Sequence, residues 1–392
     1  MQNEVTTITQ YDLAIIGGGP VGAALALALR GSGLNLCVLE ARPANTPSTD
    51  VRALALSYGS RLLLDRLGVW NRMRAVSPIR IIHISQRKSF GRAMLRAEEM
   101  KVPELGYVLP YAALQDALDE ALRESGVAVI NNAHVMQLDG EAEQAVIQYQ
   151  QHEVEHLIHT RLAAVADGGK LLAQRFPLQF HDYGQSAVIA HVTSNAPRPD
   201  TAFERFTPQG PVALLPFQDG YELVWTAPHQ RAQEMVAWDE ATFLRELHQH
   251  FGDRVGEFLS VGERSCFALG LKRAPQQVPM PRTVLLGNAA QTLHPVAGQG
   301  FNMGVRDAWG LAEVLLDTAP DAIGSTAMLD AYIASRRLDR EGGIRFTDSL
   351  VRLFSNGLPL LGAGRGAALS ALDCLPLAKH FVAKRMMFGA NG

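Results

Sequence analysis

The sequence predicts an α/β fold with three parts: a Rossmann-like nucleotide-binding domain with a parallel sheet, an inserted and mostly antiparallel β-sheet domain, and C-terminal helices. Three observations lead to this prediction. A GxGxxG turn separates an apolar strand from a helix near residue 20, and a second glycine-rich turn precedes a helix near residue 300. Between these turns, residues 180–270 contain short β-type runs separated by Pro, Gly and Asp, which is typical of antiparallel sheets.

The predicted domains are interleaved along the chain. We assign residues 1–78, 106–178 and 272–330 to the nucleotide-binding domain, because the strand and turn signals of parallel βαβ units fall there. The inserted substrate-binding sheet takes residues 79–105 and 179–271, and the helical region takes residues 331–392. The sequence has no second GxGxxG turn, so we expect no separate domain for a nicotinamide nucleotide.

Composition narrows the class of protein. The 392 residues are 47% hydrophobic and 19% charged, which suits a globular chain with a large core. The net charge of −3 does not favour nucleic-acid binding. The three cysteines are far apart, which argues against a disulfide framework or a metal site. We find neither a signal-peptide pattern nor an uncharged apolar run of about 18 residues, and therefore expect a cytoplasmic protein.

The first βαβ unit carries a dinucleotide-binding pattern. Residues 11–16 form an apolar strand, and Gly17, Gly19 and Gly22 follow in GxGxxG spacing before an apolar-striped helix. Gly17 permits the tight turn, Gly19 lets a pyrophosphate approach the backbone, and Gly22 lets the helix pack closely on the strand. Glu40 ends the next strand and can accept hydrogen bonds from a ribose. An acid there favours the adenosine of FAD or NAD over that of NADP.

Three further side chains lie where a ligand of this fold would sit. Arg52 is predicted at a loop-to-helix junction, as either a surface ion pair or a cation near a phosphate or ring. Gln115 lies beside the apolar stripe of a helix over residues 109–123, so it faces a ligand or solvent. Asp167 follows an apolar strand over residues 162–166. Ligands of parallel sheets bind at the carboxyl ends of strands, but an acid followed by glycines is also a common turn.

The second glycine-rich turn lies within residues 283–317. A buried strand over residues 283–286 leads into a turn that contains Pro295, Gly298 and Gly300, and a helix is predicted from Phe301. Unpaired N–H groups and the helix dipole make such a turn a docking place for an anion, or for a ring that becomes anionic on reduction. A plain crossover and a phosphate loop remain alternatives.

Several of these segments together resemble a known family. The segments are GGGPVG from residue 17, DVRALALS from residue 50, ADG from residue 166, AFERFTPQGPVALLPF from residue 202, GNAAQTLHPVAGQGFNMGVRD from residue 287 and RFTDSLVRLF from residue 345. They resemble the single-component FAD aromatic hydroxylases with the p-hydroxybenzoate hydroxylase fold. The likeness covers nearly the whole chain and is greatest to the ubiquinone-biosynthesis branch, among its members to the 2-polyprenyl-6-methoxyphenol hydroxylases.

The resemblance implies roles for matching residues. FAD would be bound by Gly17, Gly19, Gly22, Glu40, Arg52, Gln115, Asp167, Asn288, Gly298, Gly300, Phe301 and Asn302. The catalytic surroundings of the flavin ring would include His294 and Pro295. Two departures from the family pattern stand out, because Asn288 replaces a common Asp and the usual Ser after Asp-Gly is Leu171. No metal ligand is implied.

The resemblance also implies an activity. NADH or NADPH would reduce FAD, and O2 would then form a C4a-hydroperoxide on the flavin that hydroxylates the aromatic ring of a polyprenyl phenol. Two alternatives are a flavin-dependent reductase of prenyl groups and a non-catalytic FAD-binding accessory subunit. The expected partners include the phenol substrate, other ubiquinone-biosynthesis proteins and a second copy of the chain, but no nucleic acid. The apolar end of the chain either packs on the body or rests as a peripheral contact on the inner membrane.

Overall fold

The computed structural model describes residues 8–87, 91–293, 298–354 and 359–391. The strands are β1 (Ile8–Ile16), β2 (Leu36–Glu40), β3 (Ala53–Ser57), β4 (Ser77–Ile79), β5 (Ile81–Gln86), β6 (Arg92–Arg96), β7 (Gly106–Pro110), β8 (Ala128–Asn131), β9 (His134–Gly140), β10 (Ala145–Gln151), β11 (Val154–Val165), β12 (Gln179–Ser194), β13 (Thr201–Thr207), β14 (Gly210–Phe217), β15 (Gly220–Pro228), β16 (Phe258–Val261), β17 (Ser265–Arg273), β18 (Thr283–Leu285) and β19 (Gln291–Thr292).

The helices alternate with these strands and then dominate the end of the chain. They are α1 (Pro20–Ala28), α2 (Tyr58–Arg66), α3 (Ala97–Met100), α4 (Tyr111–Ser125), α5 (His229–Ala237), α6 (Glu240–Phe251), α7 (Gln299–Leu316), α8 (Thr326–Phe354), α9 (Pro359–Cys374) and α10 (Pro376–Phe388). Among the described residues, no helix combines the length and the apolar character needed to cross a bilayer.

The first sheet is the predicted nucleotide-binding sheet. Its strands β8, β2, β1 and β11 run parallel, and β18 joins the carboxyl half of β11 in parallel. The antiparallel strands β10 and β9 extend it beside the other half of β11. Apolar side chains of β1 and β11 are buried on both faces of this sheet, as expected for parallel strands covered on both sides.

The second sheet has nine strands and is almost entirely antiparallel. Its main order is β19-β17-β12-β15-β14-β13-β5-β6, with β16 beside β12, and the pair β13 and β5 is parallel. Strands from residues 81–96 thus join strands from residues 179–273 in one sheet. Helices α5 and α6 pack on one face of this sheet. The α/β fold class is confirmed, and the domain boundaries that we assigned stay a prediction.

The small third sheet departs from the prediction. Its strands β3, β7 and β4 are antiparallel, whereas the sequence suggested that Arg52 leads directly into a helix. That expectation was wrong, because residues 53–57 are extended and pair with β7, and the helix begins only at Tyr58. Two smaller differences are that α7 begins at Gln299 rather than Phe301, and that the amphipathic helix α5 had not been predicted.

A buried ion network joins α7 to α8 and to the turn that follows α10. Arg336 on α8 donates to Asp307 of α7 over 3.0 Å and to Asp339 over 2.6 Å. Arg306 of α7 also donates to Asp339 over 2.7 Å, and the Ala390 amide donates to the same carboxylate over 2.9 Å. Asp307, Asp339 and Arg336 are almost fully buried. The helix that begins at the second glycine-rich turn is therefore fixed from behind by charge pairs.

Candidate cofactor site

A long cleft lies between the carboxyl edge of the first sheet and one face of the second sheet. Its volume is about 1190 Å³, which exceeds the roughly 300–1,000 Å³ of pockets for drug-sized ligands and suits a dinucleotide. The structure brings ten of the predicted cofactor residues to its wall: Gly17, Gly19, Glu40, Arg52, Gln115, Asp167, Asn288, Gly298, Gly300 and Phe301. Gly22 and Asn302 lie behind that wall. His294 and Pro295 lie outside the described residues.

The glycines of the first turn divide into structural and open positions. Gly17 has φ +105°, and a Cβ there would come within 2.7 Å of the Ala166 carbonyl oxygen. A Cβ on Gly22 would overlap the carbonyl oxygen of Gly17 and press on the Ile15 side chain. A Cβ on Gly19 would meet no atom within 4 Å, so this glycine borders open space at the start of α1. Open space beside free N–H groups, with no acid in the first turn of α1, fits a pyrophosphate.

A hydrogen-bonded ring of side chains holds the peptide groups of Gly18 in place. Glu40 accepts from the Gly18 amide over 2.7 Å and from the Arg42 amide over 2.8 Å. Gln115 donates to the Gly18 carbonyl oxygen over 3.0 Å and to Asp119 over 2.7 Å. Glu40 Oε1 also accepts from Arg42 Nε over 3.2 Å, whereas Oε2 accepts only from Gly18 among the described residues and so keeps a lone pair for a ribose hydroxyl. The Glu40 carboxylate is thus positioned to bind the turn and a nucleotide together.

The surroundings of Gln115 differ from the prediction and include two residues, Arg42 and Asp119, that the sequence did not indicate. We expected Gln115 to face a ligand or solvent, but it is buried and its amide nitrogen is used within the protein, although it still borders the cleft. Arg42 bridges Glu40 and Asp119, and neither Arg42 nor Asp119 was a predicted site residue. Burial raises the pKa of Asp119, and hydrogen bonds from Gln115 and Arg42 oppose this shift.

Arg52 stands at the edge of the cleft in an ion pair. Its Nε donates to Asp50 over 2.8 Å, and its guanidinium lies 5.8 Å from the ring centre of Phe267 and 6.0 Å from that of Tyr111. The hydrogen bond with Asp50 raises the pKa of Arg52 further. About half of the side chain is exposed. The two interpretations of Arg52 are therefore compatible, because a paired cation here also borders the cleft.

Asp167 and Asn288 face the middle of the cleft from neighbouring strand ends. The Asp167 carboxylate accepts from the amides of Gly169, Lys170 and Leu171, so it shapes its own loop without the missing serine. Asn288 lies on a single turn after β18 and is exposed. We find no hydrogen bond between its side chain and another described residue, which leaves its amide free to bind ligand hydroxyls.

The amino end of α7 forms the next part of the wall. Gly298 has φ +60°, and its Cβ would lie 2.7 Å from that of Ala55, whereas a Cβ on Gly300 would meet nothing within 4 Å. Helix geometry leaves the first amides of α7 without partners in the helix, and its first turn has no acid. Asn302 accepts from the Ser57 amide over 2.8 Å and donates to Ala55 and Gly298. Asn302 thus braces this helix start against β3.

The far end of the cleft is apolar. Ile189, Leu215 and Val224 project into it from adjacent strands of the second sheet. Glu222 lies beside Leu215, is 7% exposed and accepts a hydrogen bond from the Ala53 amide. Burial raises the pKa of Glu222 to about 7. The sequence did not single out Glu222, although an acid at an inward position of a β-type run was a signal.

These features fit FAD. The open position at Gly19, the Glu40 carboxylate and the amino end of α7 are spread along one cleft long enough for a dinucleotide. A sequence family described as "FAD binding domain" matches residues 10–346. The chain belongs to this FAD-binding family. The predicted resemblance is confirmed, and so is FAD as the cofactor.

Two individual relatives also support membership of the FAD-binding family. The 3-demethoxyubiquinol 3-hydroxylase of Escherichia coli is 32% identical over 92% of this chain and 94% of its own length. The ubiquinone hydroxylase UbiL of Rhodospirillum rubrum is 30% identical over 96% of this chain and 89% of its own length. The chain is therefore a flavoprotein enzyme of the monooxygenase type.

Solved structures confirm the fold of this family member. The p-nitrophenol 4-monooxygenase PnpA of Pseudomonas putida matches with a TM-score of 0.78 at 19% identity, over 98% of this chain and 99% of that one. At this level of identity the likeness concerns the fold alone. The individual contacts that we assigned to FAD stay predictions.

Proposed function

We propose that this enzyme is an FAD-dependent monooxygenase that hydroxylates the aromatic ring of a polyprenyl phenol in ubiquinone biosynthesis. One observation carries the proposal: the cofactor cleft continues into an apolar end closed by Ile189, Leu215 and Val224. A ring bound there would lie next to the amino end of α7. The ubiquinone hydroxylases named above, which match nearly the whole chain, support the same substrate class.

The reaction needs two electrons and one oxygen atom. NADH or NADPH gives the electrons, one atom of O2 enters the ring as a hydroxyl group, and the other leaves as water. Bound FAD supplies the electron transfer and the oxygen activation. The protein binds and orients: Gly19 and α1 receive the pyrophosphate, Glu40 receives the ribose, and the amides at Gly300 and Phe301 stabilise negative charge on the ring system.

Glu222 is the proton acceptor that we propose for the phenol hydroxyl. Its carboxylate is buried beside Ala53 and Leu215, which both line the cleft. A phenol that loses its proton becomes richer in electrons and is easier to hydroxylate. A carboxylate with a pKa of about 7 is both partly ionised and basic near neutral pH, which suits general-base catalysis.

Glu222→Gln tests this role through the pH profile. Because its pKa is raised, the wild-type carboxyl group becomes ionised only as the pH passes through about 7, so kcat should rise with pH over that range. The variant should lose this rise and lower kcat roughly 100-fold or more, as general-base removal does. Steady-state rates from about pH 5.5 to about pH 8.5, a range that brackets the expected ionisation, would show this. An unchanged profile in a protein that binds FAD normally would refute the role.

The proposed activity is tested by comparing the amounts of O2 and reduced nicotinamide consumed with the amount of hydroxylated product formed. Purified enzyme with FAD, NADH or NADPH, and a short-chain polyprenyl phenol should consume O2 and reduced nicotinamide in equal amounts and yield the hydroxylated ring. Product that forms without O2 would instead show a reductase of prenyl groups. Bound FAD with no substrate-stimulated oxidation of nicotinamide would show an accessory subunit.

The exposed face of α10 is the part of the enzyme that we propose to meet the lipid surface holding the substrate. Leu377 is 89% exposed and Phe381 is 69% exposed, one helical turn apart, and the exposed, basic Lys384 lies on the same side of α10. Apolar side chains next to a cation suit an anionic bilayer surface. A cytoplasmic location, self-association and contacts with other ubiquinone-biosynthesis proteins stay predictions.

Replacing both Leu377 and Phe381 with serine should weaken binding to anionic vesicles several-fold, because these two side chains supply most of the exposed apolar area of α10. Cosedimentation with vesicles would measure the change. Leu338→Ser on α8 is the control, since Leu338 is 67% exposed but lies elsewhere. Equal vesicle binding by the double variant and the wild type would contradict the proposed contact.

A further inference from the structure

A cluster of basic side chains surrounds Ser85 on the face of the second sheet that points away from the cleft. His83, Ser85 and Arg87 alternate along β5 and its end, so they share one face. Ser85 pairs with Arg205 of β13 on one side and with Arg92 of β6 on the other. Helix α6 packs over this face and brings His250 to the cluster, and Arg254 follows shortly after the helix. These seven residues are called the Ser85 cluster below.

The contacts within the Ser85 cluster use few of its donors. Arg205 donates one nitrogen, Nη1, to the Ser85 hydroxyl over 3.0 Å. Arg205 is 9% exposed, and its buried Nε has no acceptor among the described residues. His250 is 6% exposed, and its buried Nδ1 also has no partner there. Buried donors without acceptors are costly, and a buried guanidinium is normally paired with an anion.

The charges that act on Arg205, His250 and His83 have one sign. Burial, and then Arg254 and Arg87, lower the pKa of Arg205 to about 10. Burial, and then Arg87 and Arg205, lower the pKa of His250 to about 4. Burial is also the main reason that the pKa of His83 is lowered, with Arg254, Arg92 and Arg205 adding to it. No carboxylate is among the causes of these three shifts, and the one described carboxylate that interacts with the cluster, Asp373, acts on Arg92. The buried part of the cluster therefore lacks a counter-charge.

We propose that the Ser85 cluster is a binding site for a phosphate group. Four arginines, a serine hydroxyl and two histidines lie together on this face, and guanidinium forks match the oxygens of a tetrahedral dianion in pairs. The exposed Arg92 and Arg254 form the entrance, and Arg205 forms the floor. The site lies on the opposite side of the sheet from the cofactor cleft, so it is distinct from the pyrophosphate position at Gly19. It does not depend on the proposed reaction.

Inorganic pyrophosphate is the probe for the first experiment. Calorimetric titration of the FAD-loaded protein at fixed ionic strength should show saturable binding with a rise in melting temperature, and chloride should give neither. Arg205→Met should weaken binding at least about tenfold, as expected for loss of charge-assisted hydrogen bonds. Arg245→Met is the control, because Arg245 is exposed on α6 outside the cluster.

Measurements on the variants distinguish a loss of pyrophosphate binding from a loss of folding. Arg205→Met removes a buried charge without a partner, so its melting temperature without pyrophosphate should stay the same or rise. Arg92→Met changes an exposed residue and should weaken pyrophosphate binding several-fold in a fully folded protein. No saturable binding by the wild type, or equal binding by the wild type and both cluster variants, would overturn the proposal.

Competition identifies the source of the phosphate. Displacement of pyrophosphate by NADPH would show that the reductant carries the group, and Arg92→Met should then raise KM for NADPH. Displacement by vesicles that contain phosphatidic acid would show a lipid headgroup instead. Binding of pyrophosphate with neither competitor active would show a site for free phosphate anions. Each of these results supports the phosphate site.

Discussion

The Gly22→Val protein should be purified without the yellow colour of bound FAD. A side chain at this position would overlap the Gly17 carbonyl oxygen and push α1 away from β1. Overpacking on a rigid backbone costs about 3 kcal/mol or more, which corresponds to a loss of roughly 100-fold in FAD affinity. Titration of the apoprotein with FAD, followed by flavin fluorescence, would measure the change.

A second variant in the same turn separates the two causes of a lost cofactor. A Cβ on Gly19 meets no protein atom, and its φ of −64° suits any residue. Gly19→Ala should therefore leave the melting temperature of the apoprotein unchanged and weaken only FAD binding. Gly22→Val should lower both. Retention of FAD by Gly22→Val within a few-fold of the wild-type affinity would mean that this turn does not bind the pyrophosphate.

The Arg336→Ala protein should lose about 3–5 kcal/mol of unfolding free energy, the usual cost of breaking a buried ion pair. Asp307 would lose its guanidinium partner in the interior, and Asp339 would keep that of Arg306 alone. Urea unfolding at saturating FAD would measure the loss. Because Asp307 belongs to the helix that begins at the cleft, FAD affinity should fall as well.

The neighbouring Arg337 provides the matched control. It lies on the same helix but is exposed, so Arg337→Ala should change stability by less than about 0.5 kcal/mol. Replacing Arg336 with methionine together with Asp307→Leu should recover part of the loss, because apolar pairs replace buried ion pairs at little cost. Equal midpoints for Arg336→Ala and Arg337→Ala would show that the network contributes nothing.

The sequence was most informative where the backbone requires a particular residue type, such as glycine. Gly17 has a positive φ and Gly22 permits a close approach, and the GxGxxG spacing of the amino-acid sequence directly indicates both requirements. The apolar strands of the first sheet and the β-type runs of the second were recognisable for a similar reason, since their side-chain period reflects burial. These local demands are why the fold class was correctly predicted.

The sequence was least informative where contacts join distant parts of the chain. Strand β3 is short, and only its pairing with β7 keeps residues 53–57 extended. Asn302 is still predicted to bind the cofactor, but no sequence pattern indicated that its side chain also braces β3 from 245 residues away. The Ser85 cluster is drawn from residues 83–92, Arg205 and residues 250–254. No window of the sequence contains such a set, so neither propensity nor spacing could predict it.

The origin of the second sheet has a practical consequence for redesign. The strands that carry Ile189, Leu215 and Val224 all come from one continuous segment, residues 179–273, whereas the glycine turns that face the cofactor lie outside it. Exchanging this segment between related enzymes should retarget substrate preference while the flavin stays in place. In such a chimera the contacts to redesign are the strand pairs that join the exchanged segment to the rest of the chain, β13 with β5 and β17 with β19.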